Sequence, residues 1–386
     1  MTNTWWKDPD ELKKEQADLL DLPVDQSLLI QGPPGSGKTN LLLLRANQLH
    51  LGDYPNLHVV VFGSLLKQFI QMGGLQYGFP ESKIITHTGL FNDILRSEGQ
   101  AVDAKSMGLM EARLERANRL EQLLNAGKVG AQYDALLLDE AQDYTEQEIR
   151  ILRKLANILI GTADRRQAIY SIKGDPVGVL ENCVDGVYRL KYHFRNGLDV
   201  CRLADGINKG KPDYVPMQPS SNYDEAKYPS KATPRSGLTI EQQAEAIAEQ
   251  IKKQRFAYPD ELIGVLCPTN DDLDSIYVGL EKAGLGAEIT RANNSMDFDP
   301  SHPIWLSTLS AAKGLEFRAV HIAGLDRLYT TGSAQKRLIF TGVTRAKTAL
   351  TLYWHQSIPG YLESALLAVA PPKGAVSKMQ IFGKAS

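Results

Sequence analysis

The chain reads SLLIQGPPGSGKT over residues 27–39 and LLLL over residues 41–44. The apolar residues before the glycines predict a short buried strand, the glycines a tight loop, and the leucines the first turns of a helix. This is the pattern G-x-x-x-x-G-K-[ST] in the strand–loop–helix context that it requires. Backbone N–H groups of such a loop surround an anion, and the positive end of the following helix adds to the field. The stretch therefore predicts a phosphate-binding loop rather than a glycine-rich turn that only caps a helix.

Two side chains of this loop carry chemistry of their own. We expect Lys38 to reach the terminal phosphates of a nucleotide and the Thr39 hydroxyl to ligate Mg²⁺. The other positions expected to line the phosphates are Gly32, Pro33, Pro34, Gly35, Ser36 and Gly37. A nucleoside triphosphate with Mg²⁺ is thus the expected ligand.

A second motif supplies acids after an apolar strand. Leu136-Leu137-Leu138 is followed directly by Asp139 and Glu140. A carboxylate at a strand end can hold Mg²⁺ through its water shell, and Glu140 can orient or deprotonate an attacking water. A solvated acidic loop is the alternative, which the upstream phosphate loop disfavours. The two motifs together predict hydrolysis of the nucleotide.

The bulk properties fit a two-domain globular protein. The chain has 386 residues, 43% of them hydrophobic and 23% charged, with a formal net charge of −2. This charge gives no global sign of a nucleic-acid partner, although a basic groove can lie on an acidic surface. The three cysteines have no paired spacing for zinc or disulfides, and no stretch has the pattern of a signal peptide or membrane span. We therefore expect a cytoplasmic location and no membrane partner.

Strands alternate with helices along the whole chain, which predicts an α/β fold. Acids at strand C-termini and a phosphate loop at the first crossover indicate a doubly wound parallel sheet. We expect a first domain over residues 1–186, with a small helical insertion at about 92–130, and a second over 187–386. Residues 104–126 predict one long helix with a solvated arginine face, and residues 209–237 an irregular surface connection.

The order of seven sequence blocks resembles the superfamily 1 helicases of the UvrD/Rep/PcrA type. The blocks are Gln16, GPPGSGKT, LLLDEAQD, TADRRQAIY, YHFRN, STLSAAKGLEF and IFTGVTRAK. They span the chain from Gln16 to about Trp354. The resemblance implies two RecA-like domains in tandem, with ATP in the cleft between them. It also implies ATP-driven movement along single-stranded nucleic acid, with DNA favoured over RNA.

The resemblance assigns roles to residues outside the phosphate loop. Gln16 would read the adenine edge, and Gln167 would sense the γ-phosphate. Arg195 and Arg345 of the second domain would swing onto that phosphate, so that its presence closes the cleft. Positions near the ribose and phosphates would be Gly314 and Glu316.

Nucleic-acid contacts follow from the same resemblance. The positions that would contact the strand are Ser64, Thr86, His87, Tyr170 and Thr308. Hydroxyl and backbone N–H groups position a strand without reading its sequence, and an aromatic ring can stack on a base. Four departures weaken this expectation but not ATP binding: Ile172 replaces a stacking aromatic, Ser310 replaces a histidine, Ala334-Gln335 replaces an acidic pair, and Ala163 stands where a glycine is common.

The large accessory insertions of UvrD-type enzymes are nearly absent, which suggests a minimal motor. We rank ATP hydrolysis first, translocation second and autonomous unwinding third. By analogy, such a motor admits a protein partner such as a nuclease in repair or anti-phage defence. The main alternative is an ATP-driven regulatory switch that acts on a protein partner without strand translocation. A P-loop kinase is a further alternative, but it explains neither VTRAK nor KGLEF.

Overall fold

A computed structural model describes residues 9–72, 77–164, 174–212, 214–292, 299–328 and 332–369. Within these ranges the chain builds two six-stranded sheets, one after the other. Every strand pairing in both sheets is parallel. The expected fold, two RecA-like doubly wound parallel-sheet domains in tandem, is confirmed.

The first sheet has the strand order β3-β2-β4-β5-β1-β6. Its strands are β1 (Leu28–Gln31), β2 (Leu57–Val61), β3 (Ile84–Thr86), β4 (Tyr133–Leu138), β5 (Ala156–Ala163) and β6 (Gly186–Arg189). The helices of this domain are α1 (Lys14–Leu20), α2 (Lys38–Leu51), α3 (Ser64–Met72), α4 (His87–Ser97), α5 (Leu109–Asn125), α6 (Glu146–Leu155) and α7 (Pro176–Glu181). Because helices cover both faces, the central strands are continuous apolar runs.

The second sheet has the strand order β7-β12-β11-β8-β10-β9. Its strands are β7 (Lys231–Arg235), β8 (Ile263–Cys267), β9 (Ile289–Arg291), β10 (Ile304–Thr308), β11 (Phe317–Ile322) and β12 (Ala346–Tyr353). The helices of this domain are α8 (Leu198–Ile207), α9 (Ile240–Ala257), α10 (Asn270–Lys282), α11 (Ser333–Val343) and α12 (Gly360–Val369). None of the helices in the described ranges is long and apolar enough to cross a membrane.

The structure corrects two predicted boundaries. The division at 186/187 falls inside β6, which pairs with β1 along its length, so the first sheet extends to Arg189. The connection predicted over 209–237 contains the strand β7, which pairs with β12. This strand lies at the edge of the sheet, where Pro234 is tolerated because an edge residue need not donate to a neighbour. Because proline is uncommon within β-strands, the sequence pattern did not predict this strand.

The helix predicted over 104–126 is also shorter than expected. A 3₁₀ turn at Ala104–Ser106 precedes α5, and the extended backbone of Gly108 separates the two. The arginine face of α5 was expected to be exposed to solvent. Arg113 on this face is buried, with only 9% of its surface exposed. The expectation of a uniformly solvated arginine face was therefore wrong at this position.

An apolar contact joins the two domains. Phe69 of α3 packs edge-on against Trp305 of β10, with ring centroids 5.8 Å apart. Both side chains are buried, and Leu66 of the same helix approaches Gly314 of the second domain. Buried aromatic pairs of this geometry stabilise beyond the area they bury. This contact holds the second domain against the first.

Candidate active site between the two domains

The phosphate loop lies at the carboxyl end of β1, between that strand and α2. Gly35 and Gly37 have φ of +75° and +85°, a conformation that residues with a Cβ rarely adopt. The Lys38 ammonium donates to the carbonyl oxygens of Gly32 at 2.9 Å and Pro33 at 3.0 Å. The loop therefore has the concave shape and the folded-over lysine of an anion cradle.

Asp139 lies next to the loop because β4 and β1 flank β5 and end at the same edge of the sheet. The Thr39 hydroxyl donates to Asp139 Oδ2 at 3.0 Å, and the Thr162 hydroxyl donates to Asp139 Oδ1 at 2.6 Å. Burial and the neighbouring Glu140 raise the pKa of Asp139 to about 6. The hydroxyl and carboxylate are oxygen donors of the kind that Mg²⁺ uses together with phosphate oxygens and water. Among the residues that the structure describes, this site included, no group of three or more His, Cys, Asp or Glu side chains could hold a metal ion.

Glu140 has an unusual backbone. Its φ of +52° is the only positive value among the non-glycine residues that the structure describes. The turn is held by its N–H group, which donates to Asp139 Oδ1 at 3.1 Å and Thr162 Oγ1 at 3.2 Å. The Gln142 amide donates to its carboxylate. Backbone strain of this kind persists only where the surroundings enforce it, and it is concentrated at active sites.

Lys313 of the second domain reaches the acids of the first. Its ammonium lies 2.5 Å from Asp143 Oδ2 and 3.6 Å from Glu140 Oε2. Burial alone would raise the pKa of Glu140, but Lys313 and Lys38 lower it. Sequence reasoning gave Lys313 no role, and its position directly before Gly314 was the available signal.

Arg195 lies directly against the phosphate loop. A Cβ on Gly35 would lie 2.4 Å from Arg195 Cβ, and the Phe194 N–H donates to the Gly35 carbonyl at 3.0 Å. The Arg195 guanidinium donates to Glu316 Oε2 at 2.7 Å, and the Lys347 ammonium lies 2.9 Å from Glu316 Oε1. Burial opposes the charge on Glu316, yet Lys347 and Arg195 lower the pKa of this carboxyl to about 2. The predicted residues Arg195 and Glu316 thus meet as a partly buried ion pair at the loop.

Arg345 is buried at 1% exposure between α11 and β12. Its guanidinium donates to the carbonyl oxygens of Thr341 and Leu315, both at 3.0 Å. Burial and the charge of Arg195 lower the pKa of Arg345 to about 9. A guanidinium kept out of water and held by neutral carbonyls is suited to an anionic phosphoryl group.

Asn196 connects the two arginines. Its amide donates to the carbonyl oxygens of Thr344 at 3.0 Å and Ala346 at 2.7 Å, the residues on either side of Arg345. Arg195, which directly precedes this asparagine, is therefore fixed relative to Arg345. The structure brings both predicted arginines together on one unit that faces the phosphate loop.

Gln16 of α1 is buried beside the loop. Its side-chain amide donates to the Ser36 carbonyl at 2.9 Å and accepts from the Lys13 N–H at 3.0 Å. Arg45 of α2 holds the segment that follows α1 in place, since its guanidinium donates to the Leu22 carbonyl at 2.8 Å. The predicted adenine-reading residue thus lies at the loop, on a segment pinned by the loop's own helix.

Three of the predicted nucleic-acid residues lie at the carboxyl ends of β-strands, two in the first domain and one in the second. Ser64 is exposed at the start of α3, and Thr86 caps α4 by accepting from the Gly89 N–H at 3.1 Å. Thr308 ends β10, with its hydroxyl 3.2 Å from that of Ser310. Their contacts with a strand stay predictions. Gln167 and Tyr170, with Ile172, lie outside the described residues.

His87 is placed differently from these hydroxyls. It is 5% exposed and stacks on Phe62 with ring centroids 4.8 Å apart. Burial lowers the pKa of His87 to about 4, so the ring is neutral at physiological pH. In this arrangement the ring is part of the hydrophobic core at the carboxyl ends of the β-strands. Base stacking by His87 stays a prediction, and it would require the ring to move out of the core.

Comparison with known proteins points to helicases. Residues 303–353, which include β10, Lys313, β11 and Arg345, match the UvrD-like helicase C-terminal domain. This supports a relationship of the second domain to helicases, which agrees with the resemblance of the motifs. A comparison with curated proteins finds no significant match.

Several solved structures show a distant likeness. The C-terminal domain of a possible DNA helicase from Lactobacillus plantarum WCFS1 is 16% identical with a TM-score of 0.34, over 46% of this chain and 96% of that one. The PRRSV helicase is 16% identical with a TM-score of 0.41, over 88% of this chain and 54% of that one. The Arterivirus nonstructural protein 10 helicase is 15% identical with a TM-score of 0.39, over 86% of this chain and 60% of that one. The chain thus spans less than two thirds of both viral helicases, and its two-domain fold rests on the two sheets described above.

Proposed function

We propose that this chain is a nucleic-acid-dependent ATPase of the UvrD-like helicase type, which moves along single-stranded nucleic acid. One observation carries the proposal: the site is divided between two domains. The phosphate loop and the acids Asp139 and Glu140 belong to the first domain, whereas Lys313 and Arg345 reach them from the second. A site of this kind closes and opens as a nucleotide binds and is hydrolysed.

The residues at the loop fit ATP with Mg²⁺. Lys38 and the loop backbone would hold the phosphates, and Gln16 would bind the base. Thr39 and Asp139 would hold Mg²⁺, which when bound would neutralise charge on the phosphate oxygens. Glu140 would orient the attacking water, because its carboxylate lies beside the metal-binding pair and its backbone is held in a strained turn.

The arginines would link hydrolysis to movement. Arg195 and Arg345 would contact the γ-phosphate and stabilise the charge that develops on it during transfer. Both are anchored to the second domain through Asn196. Loss of the γ-phosphate would release them, so each cycle of hydrolysis would move one domain relative to the other.

The single-stranded nucleic acid would lie across the carboxyl ends of the β-strands in both sheets. Ser64 and Thr86 of the first domain and Thr308 of the second offer hydroxyl and backbone groups there. Such groups bind the phosphate backbone without reading sequence, so DNA of any sequence would serve. With the accessory insertions nearly absent, translocation would not need to be accompanied by unwinding.

An ATP-driven switch that acts on a protein partner is the second candidate. It is favoured by His87, which is packed into the core, and by Ser310, which stands where the helicases have a histidine. A nuclease partner and a cytoplasmic location belong to the main proposal by analogy alone.

The experiment that separates the two candidates measures phosphate release by the full chain. ATP and Mg²⁺ are supplied with no nucleic acid, with single-stranded DNA, with single-stranded RNA and with duplex DNA. The proposal predicts that single-stranded DNA stimulates the rate most. Equal rates in all four conditions would contradict it and leave the switch.

A further inference from the structure

Arg113 belongs to a buried cluster in the first domain. The cluster adjoins the surface predicted to bind the nucleic-acid strand, which is the carboxyl ends of β2 and β3 with Ser64 and Thr86 and is called the strand-binding edge below. Its guanidinium donates to Glu148 Oε1 at 2.7 Å through Nε and to Glu148 Oε2 at 2.5 Å through Nη2. Nη2 also donates to the Asp143 carbonyl at 2.8 Å. The same guanidinium lies over the Phe62 ring, 4.9 Å from its centroid. One side chain of the α5 insertion therefore contacts three other segments.

One of these segments, which carries Phe62, belongs to the predicted strand-binding edge. Phe62 directly follows β2 and lies two residues before Ser64, and it stacks on His87, which follows Thr86. A strand bound at Ser64 and Thr86 would press on the backbone that carries these two rings. The Arg113 guanidinium packs against the face of the Phe62 ring.

A second segment is the acidic run of the active site. Asp143, whose carbonyl Arg113 binds, holds Lys313 of the second domain through its carboxylate at 2.5 Å. The Asp143 N–H donates to the Glu140 carbonyl at 2.9 Å. A displacement of Asp143 would thus reach both the water-orienting glutamate and the contact with the second domain.

The third segment that Arg113 contacts is the start of α6, where Glu148 fixes the geometry of the cluster. Glu148 is 1% exposed and additionally accepts from the Thr145 N–H at 2.8 Å, at the start of α6. Burial opposes the charge on Glu148, but Arg113 holds the pKa of this carboxyl below its ordinary value. A bidentate, planar ion pair fixes orientation as well as distance, so Arg113 connects the segments as a rigid part.

We propose that Arg113 is a positioning residue that couples strand binding at the ends of β2 and β3 to the acids at the end of β4. This coupling rests on the proposed function, a nucleic-acid-dependent ATPase. It adds the path by which nucleic-acid binding would affect the catalytic acids. Arg113 touches neither nucleotide nor strand in this scheme; it transmits the position of Phe62 to Asp143. Its loss should therefore reduce stimulation by nucleic acid while ATP binding and the unstimulated rate persist.

The test uses the full chain with a double variant, because Arg113→Met alone would leave Glu148 charged and buried. Arg113→Met with Glu148→Met removes both charges at similar volume, a change that buried ion pairs often tolerate. Arg113→Lys keeps the charge but loses the fork. The matched control is Arg116→Met on the same helix, since Arg116 donates to Asn92 within the α4–α5 pair at 2.7 Å.

Phosphate release is measured with and without single-stranded DNA, together with KM for ATP and the thermal midpoint. We expect the double variant to keep the wild-type KM and unstimulated rate and to lose at least about fivefold of the stimulation, the lower end of typical coupling between sites. We expect the stimulation of Arg113→Lys to lie between that of the double variant and that of the wild type. The stimulation of Arg116→Met should match the wild type.

Wild-type stimulation in the folded double variant would overturn the coupling and leave the proposed function standing. An equal fall in the stimulated and unstimulated rates would also overturn it, because that result indicates a structural role only. A wild-type chain that no nucleic acid stimulates would overturn the proposed function itself, and the coupling with it.

Discussion

Replacing Gly35 by alanine tests the contact between the phosphate loop and Arg195. Gly35 has φ of +75°, and an added Cβ would lie 2.4 Å from Arg195 Cβ and 3.3 Å from its backbone nitrogen. Left-handed backbone costs a residue with a Cβ about 1–2 kcal/mol. Overpacking a site that cannot yield costs about 1–3 kcal/mol more. Gly35→Ala should therefore destabilise the chain by about 2–5 kcal/mol in total.

Gly127→Ala separates the two contributions. Gly127 has φ of +67°, but an added Cβ there would meet nothing within 4 Å. This control should lose only the backbone part, about 1–2 kcal/mol. The remainder for Gly35→Ala comes from pushing Arg195 away from the loop, so it should also appear in ATP affinity.

The assay pairs thermal unfolding with equilibrium binding of a fluorescent ATP analogue. A cost of about 1–3 kcal/mol at the loop corresponds to an affinity about 5- to 150-fold weaker, at tenfold per 1.4 kcal/mol. Gly127→Ala should bind as the wild type does. If Gly35→Ala also binds normally and unfolds at the temperature of Gly127→Ala, the loop does not press on Arg195 and the reasoning is refuted.

Three further substitutions probe the other parts of the site. Lys38→Ala should abolish ATP turnover, because the phosphates lose their cation; measurable turnover at the wild-type rate would contradict the assignment. Glu140→Gln should bind the ATP analogue normally but release phosphate at least about 10²-fold more slowly, the usual contribution of a general base; unchanged release would refute its water-orienting role. Lys313→Met leaves Asp143 buried without its cation and should destabilise the chain by about 3–5 kcal/mol; calorimetry that shows an unchanged midpoint would argue against the ion pair.

The positions in the fold of the site residues that depend on local sequence could be predicted. The glycine-rich loop with Lys38 and Thr39 needs only its flanking strand and helix, so its place at the end of β1 follows from the pattern. The same holds for Asp139, because an acid after an apolar strand must lie at the edge of a parallel sheet. Parallel strands that end at one edge bring these residues together without further information.

Contacts between distant segments were predicted less well. Lys313 and Arg113 both bind acids that are far away in the sequence, and periodicity does not specify such partners. The position of Arg113 among evenly spaced arginines favoured a solvated face, yet the packing of α5 on α6 buries it against Glu148. His87 shows the same limit, since a histidine after a short strand reads equally as a surface ligand or as a core ring.

The most direct test of the divided site is ATP turnover by Arg345→Lys. The variant keeps the positive charge but loses the planar fork that Arg345 uses on the Thr341 and Leu315 carbonyls. Arginines supplied to a γ-phosphate from another domain contribute about 10³–10⁵ in kcat. We predict that affinity for the ATP analogue stays close to wild type and that the thermal midpoint falls modestly, because a buried carbonyl loses its donor, while phosphate release in the presence of single-stranded DNA falls at least about 10³-fold. Wild-type turnover in this variant would show that the second domain does not complete the site.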